Sequence, residues 1–168
     1  TLAISHVPDD STIRYYVVAT DWLRNQTQSD TQTIVIKYDL AITEVKTSKA
    51  IIGQGFATQI NVSIANQGTV PKTSLKVIIY ANTTPIHIQI LPSLTNGTAT
   101  TLTFYWDTTN VPKGNYIITA SAIPILDEAD TTDNTYIDGI VTVAMVGDIN
   151  ADGIVDITDI YLIALAFG

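Results

Sequence analysis

The stretch GQGFATQINVSIANQG, residues 53–68, decides the fold class of this 168-residue chain. In its middle, Ile60, Val62 and Ile64 alternate with polar or small residues, which is the two-residue period of a β-strand with one buried face. Glycine-containing turns stand on both sides of the alternating run. The stretch therefore predicts a half-buried strand between two turns.

Six further segments in residues 38–144 show a similar pattern, so this part of the chain is predicted to contain seven strands. Turns rich in Gly, Pro and Asn separate the segments, and none of them has the period of a helix. The six segments are 39–45, 74–82, 85–92, 99–107, 114–123 and 134–144. Seven such strands indicate an all-β fold, an immunoglobulin-like antiparallel β-sandwich.

Residues 1–37 are predicted to form three short strands, 1–7, 12–20 and 31–38, with polar turns between them. Three strands alone make a marginal domain with open edges. One interpretation is that the chain starts inside an immunoglobulin-like domain whose earlier strands are absent or supplied by another chain. The other is a β extension that packs on the next domain, and the residues leave both open.

The third part, residues 145–168, carries the strongest chemical signal. A calcium loop of the EF-hand kind has oxygen ligands at positions 1, 3, 5, 9 and 12, a backbone carbonyl at position 7 and glycine at position 6. Counted from the first aspartate, every requirement is met, with Gly153 at position 6. The candidate ligands are Asp148, Asn150, Asp152, the carbonyl of Ile154, Asp156 and Asp159. The pattern favours Ca²⁺ as a cofactor, and the alternative is an ordinary turn rich in Asp and Asn.

A helix is predicted directly after this loop, with Asp156 as its N-cap and Asp159 completing a capping box. Because such a helix would be tied to the metal, the tail is expected to become ordered only when calcium is bound. Its apolar face, Ile160, Ile163 and Phe167, is expected to pack on the sandwich or on a second loop–helix repeat.

A second acidic cluster, DEADTTD, occupies residues 127–133. It lacks the ligand spacing of a known calcium loop, and we interpret it as a solvated charged turn. The alternative is that it supplies metal-binding oxygens at one end of the sandwich.

Composition excludes several classes of function. The net charge of −8 and the pI of about 4.3 exclude binding to nucleic acid by phosphate neutralisation. The chain has no cysteine and only 14% charged residues, which is typical of extracellular β proteins rich in Thr, Asn and Gln. No apolar run reaches the ~20 residues of a membrane span. We expect an extracellular or cell-surface location, with candidate glycosylation sequons at Asn25, Asn61, Asn82 and Asn96.

Catalytic signals are weak. The two histidines are His6 and His87, and the two glutamates are Glu44 and Glu128. His87 falls on the polar side of a strand, and both glutamates are interpreted as surface residues. Neither a nucleophile elbow nor a phosphate loop is present, so the chain is predicted not to be an enzyme.

The aromatic residues raise the question of sugar binding. Trp106 is predicted to lie in the core, because it shares one face of its strand with Leu102 and Phe104. Trp22 lies in a polar turn and is the better candidate for an exposed platform on which a glycan could stack.

Residues 38–144 resemble the CARDB family. The resemblance rests on four patches in the family's order: ANQGT (65–69), TLTFYW (101–106), KGNYIITASA (113–122) and ILDEADTTDNTY (125–136). In the last patch the family's paired asparagines are replaced by Asp133, Asn134 and Thr135. The resemblance implies a β-sandwich module of bacterial and archaeal surface proteins, with no common active site to transfer.

Both ends of the chain show further resemblances. IRYYVVATDWLRNQTQSD (13–30) resembles the penultimate strand and turn of a fibronectin type III domain. GDINADGIVDITDIYLIALAFG (147–168) resembles the first half of a type I dockerin, in part because position 12 of its loop is Asp rather than Glu. A dockerin has two such repeats, so recognition of a cohesin partner would need a second one.

These observations favour a non-enzymatic extracellular module of a surface or polymeric protein, with a calcium-stabilised tail. Its partners would be neighbouring domains or subunits, joined by β-strand complementation. The first alternative is a dockerin-type docking module at the non-catalytic end of a secreted glycan-degrading enzyme or protease. The second is a carbohydrate-binding module.

Overall fold

The computed structural model describes Pro8 and residues 11–128 and 130–167, the side chain of Phe167 excepted. These residues form twelve strands and one helix, α1, at Ile157–Phe167. The strands are β1 Ser11–Tyr15, β2 Val18–Thr20, β3 Gln26–Gln28, β4 Gln32–Ile36, β5 Leu40–Thr47, β6 Ile51–Gly53, β7 Ala57–Asn66, β8 Lys72–Ala81, β9 Thr84–Leu94, β10 Ala99–Asp107, β11 Gly114–Ala122 and β12 Thr135–Ala144.

Two sheets form the sandwich and confirm the predicted immunoglobulin-like fold. One has three strands in the order β10-β7-β5, and the other has five in the order β6-β12-β11-β8-β9. Every strand pair in the described ranges is antiparallel except β6 with β12, which is parallel. The strand β6 was not predicted, because three residues are too few for alternation to show.

The core lies between the two sheets. In the central strand β7, Ile60, Val62 and Ile64 are fully buried, as their alternation predicts. Burial of each of these side chains contributes about 1.5–3 kcal/mol. On the outer face of the same strand, one hydrogen bond of 3.0 Å joins the hydroxyl groups of Ser63 and Thr101 of β10. The core therefore follows directly from the period of the sequence.

The segment before the sandwich is a hairpin in two sections. Strand β1 pairs with β4, and β2 pairs with β3. The predicted strand 12–20 is thus interrupted, and β3 lies in what was predicted to be a turn. Residues 1–7, predicted as a strand, lie outside the described residues. The predicted division of the chain after residues 37 and 144 stays a prediction.

The hairpin joins the sandwich through the turn after β7. Thr69 accepts a hydrogen bond from the Lys37 amide through its hydroxyl and donates to the Lys37 carbonyl through its own amide, both at 2.9 Å. A Cβ atom on Gly68 would come within 2.3 Å of the Lys37 carbonyl oxygen. Asn66 closes the turn by donating to Val70 and Leu94. Within the ANQG sequence, Gly68 is therefore required by a close approach of two chain segments, and Asn66 holds the turn in place.

The C-terminal helix α1 does not bury the face that was expected to pack on the sandwich. Ile160 is 62% exposed and Ile163 is 42% exposed, so the expectation of packing on the sandwich is wrong for these two residues. The side chain of Phe167 is outside the described part. No helix within the described residues is both long and apolar enough to cross a membrane.

Candidate metal centre

The predicted calcium loop is closed by side chains that accept hydrogen bonds from its own backbone. Asp148 lies shortly after β12 and accepts a hydrogen bond of 3.0 Å from the Gly153 amide through Oδ2. Gly153 has a φ of 91°, which glycine adopts without steric cost. The first and sixth positions of the loop are thereby brought together, as a calcium loop requires.

Two successive side chains continue this pattern along the loop. Asn150 Oδ1 accepts from the Asp152 amide at 3.0 Å, and Asp152 Oδ1 accepts from the Ile154 amide at 2.9 Å. In addition, the Asn150 amide nitrogen donates to Asp152 Oδ2 at 2.8 Å. These are the turns in which a side chain mimics the backbone, and they contribute to the shape of the loop.

The loop ends in the capping box that the sequence predicts for α1. Asp156 Oδ1 accepts from the Thr158 amide at 2.7 Å, and Asp159 Oδ2 accepts from the Asp156 amide at 2.9 Å. The other oxygen of Asp159 accepts from the Ile149 amide at 2.7 Å. These backbone donors, the Asp156 amide first, hold the pKa of Asp159 below its ordinary range. The carboxylate is therefore ionised at neutral pH.

The residues of this loop fit a Ca²⁺ ion for two reasons. Their side chains supply oxygen ligands, and one buried carboxylate oxygen is not engaged in a hydrogen bond within the described residues. Asp148 is buried, and its Oδ1 has no hydrogen-bond partner within the described part of the chain. A buried oxygen in that state costs about 1–3 kcal/mol, which a cation ligand would remove. The loop brings Asp148 and Asp159 into its interior, whereas Asp152 and Asp156 are exposed. Across the described ranges, no three His, Cys, Asp or Glu side chains are already gathered as a metal-binding group.

The loop lies against the end of the five-stranded sheet. A cavity of about 340 Å³ separates them, lined by Asp148, Gly153 and Met145 on one side and by Asn115 and Thr142 on the other. The loop is thus placed beside β11 and β12.

The acidic turn at residues 127–133, interpreted from its sequence as solvated, is exposed at residues 130–132 and partly buried at Asp127, Glu128 and Asp133. Glu128 is half-buried, and its Oε1 accepts from the Leu40 amide at 2.6 Å. Its Oε2 accepts from the Ile125 amide at 2.9 Å and from Asn134 Nδ2 at 3.0 Å. The surface interpretation of Glu128 is therefore wrong, because its carboxylate ties the turn to the start of β5.

Asp39 and Asp133 meet beside this glutamate. Asp39 is buried and forms an ion pair with Lys37. Burial raises the pKa of Asp133, and the negative charge of Asp39 adds to that rise. Asp130, in contrast, is exposed and accepts a hydrogen bond from Thr132. Asp39 was not predicted as a site residue, because nothing near it in the sequence indicates burial beside a distant aspartate.

The remaining predicted side chains lie where the sequence placed them. His87 is exposed and packs edge to face against Phe104, with 4.8 Å between the ring centroids. Trp106 is buried and packs against Tyr116. Trp22 is 88% exposed at the end of the hairpin, as a glycan platform would require.

Comparison with known proteins finds similarity to one protein family and to solved structures of its domains. The CARDB family model matches residues 37–138. A CARDB domain from Pyrococcus furiosus, crystallised in complex with di-metal ions, is 26% identical with a TM-score of 0.57. The match covers 65% of this chain and 96% of that one. The solution structure of the same domain is 27% identical with a TM-score of 0.54, over 64% and 95% of the two chains.

A third solved structure shares the fold. It is the 272–376 domain of a protein from Methanosarcina acetivorans that is described as a cell surface protein. It is 20% identical with a TM-score of 0.51, and the match covers 64% of this chain and 92% of that domain. No curated protein matches this chain at a significant level.

Proposed function

The chain belongs to the CARDB family, and on that premise we propose that it serves as a structural or adhesion module of a larger extracellular protein. CARDB domains are non-catalytic modules, and they occur in proteins described as cell surface proteins. The role proposed here is to hold and space neighbouring parts of such a protein through surface and strand contacts.

The observation that carries this proposal is the exposed apolar surface of the hairpin before the sandwich. Tyr16, Val17, Trp22, Leu23 and Val35 are all more than 40% exposed. An isolated two-stranded hairpin is marginally stable in water, and an apolar patch of this kind marks a contact site. The hairpin therefore supports contact with a neighbouring domain or subunit, including strand complementation at its open edges.

Hydrogen exchange of the full chain at increasing protein concentration tests strand complementation between copies. If copies pair through the hairpin, amides of β1 and β4 become more protected with concentration, while amides of β7 do not change. Val35→Lys, which places a charge on this surface, should abolish the increase, and Lys46→Glu on the sandwich is the control. Concentration-independent exchange in a sample that sediments as a monomer would exclude pairing between copies.

The second part of the proposal is that Ca²⁺ stabilises the C-terminal tail. Asp148, Asn150, Asp152, Asp156 and Asp159 would supply side-chain oxygens, and Ile154 its carbonyl oxygen. The free Oδ1 of buried Asp148 and the closed form of the loop support this assignment. The ion would act as a structural clamp between β12 and α1.

Calcium titration of the metal-free chain tests the clamp. Hydrogen exchange and protease cleavage in residues 147–167 should slow when Ca²⁺ is added, because ligand binding stabilises the folded form of the loop. Asp148→Asn should remove most of this response, while Asp107→Asn, a matched exposed aspartate in a side-chain-closed turn, should leave it intact. A tail that is equally protected in calcium and in chelator would refute the clamp.

The exposed face of α1 favours one other function, that of a docking module. Ile157, Ile160, Tyr161 and Leu165 are all about 60% exposed or more. In a dockerin-like arrangement, a second loop–helix repeat and a cohesin would cover such a face. Binding of a cohesin to the chain extended by its native downstream residues, and loss of that binding with Ile160→Asp, would establish this function in place of the spacer role.

A further inference from the structure

Three oxygen atoms that have no hydrogen-bond partner among the residues the structure describes are buried at one end of the sandwich. They are Asp39 Oδ1, Asp133 Oδ1 and Asn134 Oδ1. Asp39 and Asn134 are each only 2% exposed, so solvent does not satisfy these atoms at the surface. Two of the three belong to carboxylates, and all three are hydrogen-bond acceptors in their present state.

Hydrogen bonds from neighbouring groups hold these residues in one place. Glu128 connects two of them, because its carboxylate accepts from the Leu40 amide, next to Asp39, and from Asn134 Nδ2. The Asp133 carbonyl accepts from the Ile42 amide at 2.9 Å. The turn that carries residues 133 and 134 is thus fastened to the first residues of β5.

Gln67 connects the remaining pair. Its backbone amide donates to the Asp39 carbonyl at 2.9 Å, and its side-chain Nε2 lies 3.5 Å from Asp133 Oδ2. The charge of Asp39 also acts on Asp133, where it adds to the effect of burial in raising the pKa. The ammonium group of Lys37 pairs with Asp39 Oδ2, and its charge partly offsets the rise in the pKa of Asp133, while Asp39 Oδ1 has no hydrogen-bond partner among the described residues.

We propose that the sandwich binds a divalent cation, Ca²⁺ in the first instance, through Asp39, Asp133 and Asn134. Two carboxylates and one amide carbonyl are hard oxygen ligands of the kind that calcium prefers. A cation there would give all three buried oxygens a partner and separate the two like charges. Glu128 is a positioning residue, because hydrogen bonds to backbone and amide N–H groups engage both of its oxygens.

The ligand set also indicates the strength of binding. Three protein side chains are fewer than the 6–8 oxygens that calcium takes, so water and backbone carbonyls would complete the shell. Such a site belongs with the weak calcium sites of extracellular modules, with a dissociation constant of about 10⁻⁴–10⁻³ M. Binding in this range would follow the calcium concentration outside cells.

This site is separate from the C-terminal loop. Asp133 lies just before β12, and Asp148 lies shortly after it. The ten residues of this strand extend over about 33 Å at the usual rise of a β-strand. The two sites therefore lie at opposite ends of one strand, and each can be tested while the other is intact.

NMR titration of the full chain with CaCl₂ locates binding at either end. The proposal expects saturable shifts of the Leu40, Ile42 and Asn134 amides at millimolar calcium, separate from shifts in residues 147–159. If the first group does not respond while residues 147–159 do, the sandwich site is refuted and the tail clamp is retained. If only the first group responds, the tail clamp is refuted instead.

Thermal unfolding in chelator and in calcium supplies the second test, in an Asp159→Asn background that weakens the tail loop. Calcium at tenfold its dissociation constant should raise the Tm by about 3–6 °C. Asp133→Asn should remove this rise without lowering the Tm in chelator, because it relieves repulsion with Asp39. Asp130→Asn, an equal charge change in the same turn, should retain it. An undiminished rise with Asp133→Asn would overturn the assignment.

Discussion

Strand β7 and helix α1 have ten and eleven residues, and α1 is the more exposed of the two although it contains the higher share of apolar residues. Three isoleucine and valine side chains of β7 are fully buried, whereas the apolar residues of α1 are mostly exposed. The difference follows from their neighbours, because β7 has a hydrogen-bonded strand on each side and a second sheet over one face. Apolar composition therefore indicates a tendency to be buried, and only topology determines whether a partner surface is present.

Ile64→Ala should have the largest effect, because Ile64 is fully buried in β7. Removing its side chain leaves a cavity, and the free energy of unfolding should fall by about 2–5 kcal/mol. Urea denaturation measures this loss. Ile160→Ala in α1 is the matched control and should change the free energy by less than about 0.5 kcal/mol. An equal loss at Ile160 would show that α1 is packed in solution and would remove the contrast between the two segments.

Gly68→Ala should have the next largest effect, at the turn that follows β7. The added Cβ would meet the Lys37 carbonyl oxygen at 2.3 Å, so either the turn or the hairpin connection must move, at a cost of about 1–3 kcal/mol. Urea denaturation again measures the change. Gly97→Ala separates this steric effect from backbone strain, because Gly97 has a φ of 67° and open space around it. If the two variants lose equal stability, the close approach at Gly68 is not the cause.

The hairpin tip should respond to pH in a way that the sandwich core does not. A hydrogen bond from the Asn25 side chain is the main cause that lowers the pKa of Asp21. Because this pKa is lowered on folding, the turn is stabilised above the ordinary Asp pKa of about 3.9, and that contribution is lost as the pH falls through the lowered pKa. NMR titration of Asp21 measures it. Asn25→Ala should move the pKa back toward its ordinary value, and an unchanged pKa would contradict the assignment.

Trp22→Ala should have the smallest effect on folding, below about 0.5 kcal/mol, because the ring is exposed. Trp106→Ala in the core should cost about 3–5 kcal/mol. Glycan-array binding of the Trp22→Ala chain completes this comparison. Loss of a glycan signal with unchanged stability would assign a binding role to the hairpin tip, and an identical binding profile would remove the carbohydrate-binding alternative.

The sandwich could be predicted from sequence because its signal is local. Alternation in β7 and in most other long strands is visible within ten residues, and it specifies both the strand and its buried face. The strands β3 and β6 were not predicted, since three residues do not establish a period. The interruption between β1 and β2 was not predicted either, because the residues between the two strands continue the apolar pattern of the predicted strand 12–20.

The two acidic regions show the same limit for site residues. In the loop after β12 the partners are close in sequence, so residue types and spacing alone predict its closed form and its capping box. In the sandwich cluster, Asp39 and Asp133 come from distant parts of the chain and meet only through the fold. The same carboxylates that resemble a solvated turn in sequence are therefore partly buried in the structure, and Glu128 changes from a surface residue to a structural one.

The parallel pairing of β6 with β12 has a mechanical consequence. β5 and β6 run beside β12 in the same direction, so the chain enters the sandwich at one end and continues toward the tail at the other. Tension applied between the hairpin and the tail would act along these strands and load the evenly spaced, slanted hydrogen bonds of the parallel pair in shear. Several of these bonds would have to break together instead of one after another, so a module under tension in this direction would resist extension.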